Sequence, residues 1–425
     1  MGPIPLRRNR DFVLLQTGQL LSAAGSQATT IAYPLLVLAV THSPAQAGLV
    51  TFARLLPLSA LGLAAGIAAD RWNRRRIMIA ADAVRAVAVA SLGTAVLAGR
   101  ISLWAILLAA FVEGVGATFF NAGQPGALRS VVPAAQLPAA AGVQETRRAT
   151  VWVAGPPLGG FLFGLDRALP FVVDAISYAF STAALLAMRT PFQESRKRNR
   201  APLRAQLAEG FRFLWAHPFL RTSTFLYGIG NFIGPALLLA IVVVGRRDGL
   251  SAGEIGLLAA AVGGGTLVGS LLSPLFRSRL SVRAILVLEL WTWLGCWFFV
   301  VWPNVFVLTG ALVLFGVAAP VTDSVVVGSR LALTPDRLVG RVESVRTTIA
   351  LLAAPLGPPT AGVLLASVSE RATVAVFAAL GLALAVWGTL SPAIRAAPRV
   401  EELGTPAQQP EPPGEPRVCR RKVPE

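Results

Sequence analysis

The sequence predicts an all-α membrane protein with twelve transmembrane helices in two six-helix bundles. Three observations predict it. Of the 425 residues, 54% are hydrophobic and only 14% charged, with a mean hydropathy of +0.64, an integral membrane composition. Apolar runs long enough to cross a bilayer, which takes about 20 residues of helix, recur twelve times. The second half of the chain repeats the first.

The runs fall at 12–39, 45–69, 77–97, 103–130, 137–163 and 169–188, then at 220–244, 252–273, 282–301, 304–329, 341–365 and 372–391. Arg7, Arg8 and Arg10 precede the first run and give it the superficial look of a secretory leader. It is too long for one, and further spans follow, so it reads as span 1. The Gly and Pro residues within the runs are tolerated in membrane helices. The resulting domains are a first bundle at 1–188, a linker at 189–219, a second bundle at 220–392 and a tail at 393–425. In the linker, Leu203, Leu207, Phe211, Leu214 and Trp215 recur at helical spacing and predict an amphipathic helix lying on the cytoplasmic leaflet. The tail is rich in Pro, Glu and Arg and is expected to be disordered.

Positive charge sets the orientation. Alternate connections hold 22 Arg and Lys residues on one side and 5 on the other. Positive loops stay inside, so both termini are expected in the cytoplasm, with the protein in the plasma membrane. The same rule accounts for the net charge of +17 without nucleic acid as a partner. The charge is almost all arginine, Lys197 and Lys422 being the only lysines, a usage that suggests a high-GC bacterium. Cys296 and Cys419 form no disulfide framework, and with His42 and His217 isolated there is no metal-ligand spacing. No phosphate-cradling loop and no nucleophile elbow occurs. The sequence therefore supports neither ATP hydrolysis nor enzyme catalysis, and no cofactor is expected. Energy must come from an ion gradient or from substrate flow.

The internal repeat is specific. At a shift of 198, Gly142, Glu145, Arg148, Thr150 and Pro157-Leu158-Gly159 meet Gly340, Glu343, Arg346, Thr348 and Pro355-Leu356-Gly357, matching 7 of 18 positions. At a shift of 203, Gly62, Gly66, Arg74 and Arg76 meet Gly265, Gly269, Arg277 and Arg279. Both shifts join spans of the same orientation, which is a parallel repeat of six helices. Ser273 stands opposite Asp70, so only the first half carries the acid.

Between spans 2 and 3 lies Gly66-Ile-Ala-Ala-Asp70-Arg71-Trp72-Asn73-Arg74-Arg75-Arg76. This hinge resembles the Gly-x3-Asp-Arg-x-Gly-x-Arg-Arg signature of the major facilitator superfamily. Asn73 replaces the usual Gly, and Asn accepts left-handed backbone angles better than most residues, so the turn is expected to survive. The resemblance implies a conformational latch made by Gly66, Asp70, Arg71, Arg74 and Arg75. In it the Asp70 carboxylate pairs with neighbouring arginine and faces the positive N-terminal end of span 11, near Gly340. Gly155-Pro156-Pro157-Leu158-Gly159-Gly160 in span 5 resembles the Gly-Pro-x-x-Gly-Gly element of antiporters in this superfamily. Gly155, Gly159 and Gly160 allow close helix approach and Pro156 bends the helix. Arg54-Leu-Leu-Pro57, Asp82-Ala-Val-Arg85, Asp174-Ala-Ile-Ser177 and Glu209-Gly-Phe-Arg-Phe-Leu-Trp-Ala-His-Pro218 resemble the enterobactin-exporter and macrolide-efflux branch. That implies proton-coupled export of an amphipathic small molecule: a drug, antibiotic or siderophore.

Ionisable residues inside spans are expensive and mark function. At about 1.5 Å per residue, Arg54 and Glu113 lie roughly 14 and 15 Å from the outer ends of spans 2 and 4, near the midplane. An Arg–Glu pair fits, with Glu113 either exchanging a proton or serving as the structural partner of Arg54. Asn121 and Gln124 are candidates to line the same cavity. Asp82 and Arg85 can pair with each other or with the hinge. Glu145 and Arg148, repeated as Glu343 and Arg346, suggest a cytoplasmic gate of salt bridges between the halves, to which Asp82 and Arg85 are assigned. Asp174, near the outer end of span 6, and Asp323, near the inner end of span 10, are each read as a proton site or a helix-packing site, and Glu289, mid-span in span 9, as structural or shielded from lipid. The cluster Trp291, Trp293, Trp297, Phe298, Phe299 and Trp302 is expected to form an interfacial belt.

The expectation is a monomeric proton antiporter working by alternating access in the bilayer. The alternatives are an importer or facilitator, which span 5 argues against, and a non-transporting receptor of the same fold, which has no need of the hinge or of a duplicated gate.

Overall fold

The computed structural model describes residues 5–190, 192, 203–335 and 337–397. The basic first part of the linker and nearly all of the tail lie outside the described residues. The helices are α1 Arg10–Thr41, α2 Pro44–Arg71, α3 Arg74–Leu97, α4 Leu103–Val131, α5 Leu137–Leu165, α6 Leu169–Ala187, α7 Leu203–Ala216, α8 Pro218–Arg247, α9 Ala252–Arg279, α10 Val282–Thr292, α11 Gly295–Val301, α12 Val305–Leu333, α13 Val339–Leu352, α14 Gly357–Ser367, α15 Glu370–Leu390 and α16 Pro392–Arg395.

Polar residues start these helices. Asn9, Ser43, Asn73, Ser102, Ser251, Ser281, Asn304 and Ser369 each stand at an N-cap, and each side chain accepts a hydrogen bond from a first-turn N–H. A helix start leaves N–H groups unpaired, and a short polar side chain satisfies one of them. At Ser251 the bond is reciprocal, because Glu254 bonds back to the cap.

Among the described residues, 11 helical stretches are long and apolar enough to cross a membrane. The twelfth span is α5, which is 29 residues long but carries Glu145, Arg147 and Arg148 in its first half. Spans 9 and 11 are each two helices. α10 and α11 meet at Trp293 and Leu294, and α13 gives way to a 3-10 turn at Ala354–Leu356 before α14. Here the repeat fails locally. Its partner α5 stays helical through Pro156 and Pro157, whereas Pro355, Pro358 and Pro359 remove three amide donors from span 11. Asn231 of α8 donates to the carbonyl of Ala350 beside the break at 2.9 Å.

α1 packs on α5 and α6, α3 on α4 and α6, and α2 on α4, which makes the first bundle. In the second bundle α9 packs on α12, α8 on α13 and α14, and α15 on α8, α10 and α11. Two seams join the bundles, α5 against α9 and α2 against α14, and both lie far from the hinge. A Cβ on Gly160 would meet the carbonyl oxygen of Ala252 at 2.2 Å, and one on Gly159 that of Ala28 at 2.1 Å. These glycines let backbone lie on backbone. At the hinge end a Cβ on Gly62, Gly66, Gly142 or Gly340 would meet no atom within 4 Å among the described residues, and Glu145 and Arg148 are exposed. The cleft between the bundles is closed at the far end and open at the hinge.

Three sequence expectations need correction. Asn73 is not left-handed: its φ is −65°, and its side chain caps α3 by accepting from the Arg76 N–H. The aromatic cluster is not all belt. Trp293 and Phe299 are buried, with Trp293 stacked on Phe315 at 4.3 Å, while Phe298 and Trp302 are exposed. α7 is amphipathic but uses part of its apolar face on protein. Leu214 is buried, Gly210 rests on the Arg341 backbone, and Glu209 pairs with Arg341 of α13.

Replacing Gly160 with Leu should open the far-end seam. Spin labels at the exposed positions 167 and 248, on the two bundles, should then report a distance longer by several ångströms than in the unaltered protein.

Candidate functional site

The first bundle encloses a connected set of charged side chains. Arg54 of α2 reaches Glu113 of α4, with Nη2 to Oε1 at 2.8 Å and Nε to the same oxygen at 3.2 Å. Its Nη1 donates to Thr30 Oγ1 and its Nη2 to the Ser26 carbonyl of α1, both at 2.6 Å. Glu113 is 1% exposed. α4 comes this close because Gly114 lies on the carbonyl of Arg54, where a Cβ would stand 2.2 Å away.

Tyr178 of α6 donates to Glu113 Oε1 at 3.2 Å and links it to a second pair. Arg85 of α3 donates to Tyr178 Oη at 2.7 Å, to Ser26 Oγ at 2.9 Å and to Asp82 at 3.1 Å. Its guanidinium also lies 4.0 Å from the Tyr178 ring centroid. Asp82 and Arg85 therefore belong to the bundle interior rather than to the gate. The i, i+3 spacing aims both at the α6 face, away from the bundle boundary. Asp174 of α6 completes the set, fully buried beside Thr29 and Ser177. Sequence reasoning left Tyr178, Ser26 and Thr29 unassigned and left Asp174 between a proton site and a helix-packing site. The helix-6 run Asp174-x2-Ser177-Tyr178, three polar residues in a row of apolar ones, was the available sign.

Nearer the hinge, Gln124 of α4 donates to Gln19 Oε1 of α1 at 2.7 Å, and Arg147 of α5 donates to the same oxygen. Asn121 is exposed on α4. Arg147 was not singled out from sequence. It lies one position before Arg148, on the face turned to α1.

At the hinge, Asp70 pairs with Arg74 at 3.6 Å, and its side chain is 73% exposed. Arg74 Nε donates to the Ala69 carbonyl, and Arg75 donates to the carbonyls of Leu185 and Leu186 at the end of α6. A cation there satisfies orphan carbonyls and the negative end of the helix. Arg71 is exposed.

The expected inter-bundle gate is not assembled. Glu343 of α13 pairs with Arg346 at 2.7 Å and with Arg330 of α12 at 2.9 Å, all within the second bundle. Its counterparts Glu145 and Arg148 are exposed. With the hinge end open, the two sets stand on opposite walls of the cleft.

A family profile described as transmembrane secretion effector matches residues 2–420. The chain belongs to the transmembrane secretion effector family. It is thereby a membrane transporter of the major facilitator superfamily, in a branch with drug exporters. The chain is 29% identical over 413 residues to the multidrug efflux pump Tap of Mycobacterium tuberculosis, covering 91% of this chain and 94% of that one. With Tap of Mycolicibacterium fortuitum it shares 28% over 410 residues, covering 92% and 97%. It also resembles macrolide efflux protein A of Streptococcus pyogenes, at 22% over 181 residues, 42% of this chain and 45% of that one. Its fold is similar to that of a bacterial homologue of the human lysosomal transporter Spinster in an inward-facing, unoccupied conformation. That match has a TM-score of 0.71 at 17% identity and covers 94% of this chain and all of that one. It is also similar to an inward-facing bacterial homologue of the iron transporter ferroportin, with a TM-score of 0.69 at 17% identity over 91% and 98% of the chains.

In this transporter, replacing either Arg54 or Glu113 alone with Leu strands a buried charge and should cost about 3–5 kcal/mol. Replacing both should cost less than the two single changes together, with a coupling of about 0.5–3 kcal/mol. Denaturant unfolding in mixed micelles measures all three.

Proposed function

We propose that this transporter is a proton-coupled exporter of amphipathic small molecules, working by alternating access between its two bundles. The observation that carries the reading is the buried charge set of the first bundle. Three carboxylates (Asp82, Glu113 and Asp174) face two guanidiniums (Arg54 and Arg85), so the set is one positive charge short of neutrality. A site with that deficit inside a membrane takes up a proton readily and can exchange it during a cycle. Arg54, whose side chain is 17% exposed, is the member of the set that reaches toward the bundle's exterior, with Gln124 and Asn121 further along α4 toward the hinge.

The drug-exporting relatives support efflux, and the tightly packed Gly155–Gly160 element supports exchange over uptake. Drugs and macrolides are the favoured substrates, with siderophores the further class. On the orientation expected from the arginine distribution, the open hinge end faces the cytoplasm, from which an exported compound enters. Closing that end brings Asp70 toward the first turn of α13 and the Glu145–Arg148 wall toward Glu343 and Arg346. The hinge and gate then act as latches released once per cycle.

Expression in a sensitive bacterium, with a macrolide panel and a fluorescent cation such as ethidium, tests this. Cells with the transporter should accumulate several-fold less probe, and a protonophore should abolish the difference. Glu113→Gln and Asp70→Asn should insert normally yet lose most of the effect. Accumulation indifferent to the transporter and to the protonophore would defeat the proposal.

A further inference from the structure

Three buried carboxylates share the first bundle, and their surroundings are unequal. Glu113 has Arg54 at 2.8 Å and Asp82 has Arg85 at 3.1 Å. Asp174 is 0% exposed, and its neighbours within hydrogen-bond distance are two hydroxyls, Thr29 Oγ1 at 3.2 Å from Oδ2 and Ser177 Oγ at 3.2 Å from Oδ1. A hydroxyl has one proton to give, and both have a shorter acceptor. Thr29 lies 3.0 Å from the Ser26 carbonyl, and Ser177 lies 2.7 Å from the carbonyl of Asp174 itself. With both protons on those carbonyls, an ionised Asp174 has no donor. A protonated Asp174 carries no charge to stabilise and donates its own O–H to one of the two hydroxyl oxygens. The space is closed as well: Gly25 of α1 lies against the carboxyl, and a Cβ there would stand 2.4 Å from Oδ1.

We infer that the proton of the buried charge set resides on Asp174, which makes this residue the proton-exchanging group of the transporter. The inference deepens the proton-coupled reading above and rests on it. With Asp174 protonated, the two remaining carboxylates balance the two guanidiniums. Proton release breaks the acid O–H bond and leaves its electron pair on Asp174 as a carboxylate; because the site is closed in this conformation, the proton reaches water only in a conformation of the cycle that opens it. Uptake from the opposite side of the membrane reverses the step. The groups facing Asp174 are Arg54 from α2, Arg85 from α3, Glu113 from α4, Thr29 from α1 and, from its own helix, Ser177 and Tyr178. Thr29 Oγ1 also lies 3.5 Å from Arg54 Nη2, so a new carboxylate at Asp174 draws the Arg54 guanidinium away from Glu113. Proton loss at α6 thereby becomes movement at the Arg54–Glu113 pair.

Infrared spectroscopy of the full-length protein in liposomes reads this without any substrate. At neutral pH the carbonyl stretch of a protonated carboxylic acid should be present in the unaltered protein and should lose a component in Asp174→Asn. Should Asp174→Asn fail to fold, the double variant Thr29→Val, Ser177→Ala removes the acid's partners and should move that component to higher frequency. A band unchanged by Asp174→Asn and by the double variant overturns the inference, even if erythromycin transport by the same liposomes depends on a pH gradient. A band assigned to Asp174 with erythromycin transport indifferent to the gradient overturns the exchange role and the coupling reading together.

Discussion

Everything in the first bundle answers to one constraint: charged side chains buried in a membrane protein must neutralise one another. Burying an ion removes it from water at a penalty that only close, well-bonded partners offset. Arg54 and Arg85 meet this by each bonding across several helices. Arg54 ties α2 to α1 and α4, and Arg85 ties α3 to α1 and α6. Tyr178 joins the two sets through Glu113. Five of the six helices of the bundle therefore have their relative positions fixed at one level by polar bonds, and the bundle is built to move as a unit.

The boundary between the bundles follows the opposite logic. Its seams are glycine and backbone, with little side chain to interdigitate, so they hold by close contact and part without breaking ion pairs. In the second bundle ion pairs fasten one helix to the next. Arg330, Glu343 and Arg346 fasten α13 to α12, and Glu209 fastens α7 to α13 through Arg341. The break at Ala354–Leu356 sits between this fastened segment and α14, which forms the far-end seam with α2. Span 11 can thus bend at its middle while both of its ends stay attached.

Sequence periodicity and charge made the helices and their number legible, because a bilayer forces long apolar runs and the arginine alternation counts them. Depth was legible too: residue counting put Arg54 and Glu113 at one level, and they stand 2.8 Å apart. Direction around the helix axis was not. Asp82 and Arg85 were assigned to the gate, and Asp174 was left between a proton site and a helix-packing site, because counting along a span says nothing of which neighbour a side chain faces. Trp293 and Phe299 were misread for the same reason. The duplicated Glu/Arg motif was visible, yet its pairing depends on which end of the cleft is closed, a property of the whole molecule. Asn73 was judged by its backbone tolerance, whereas its side chain as an N-cap is what the structure uses.

The central claim is that the charge deficit of the first bundle couples proton movement to substrate movement. The most direct measurement is proton flux in liposomes that hold the purified transporter and an internal pH-sensitive dye, with an imposed erythromycin gradient and no initial pH difference. The account predicts that erythromycin movement drives protons the opposite way and that the proton signal vanishes when Asp174 is replaced by Asn. Erythromycin movement with no accompanying proton movement in the unaltered protein would contradict it.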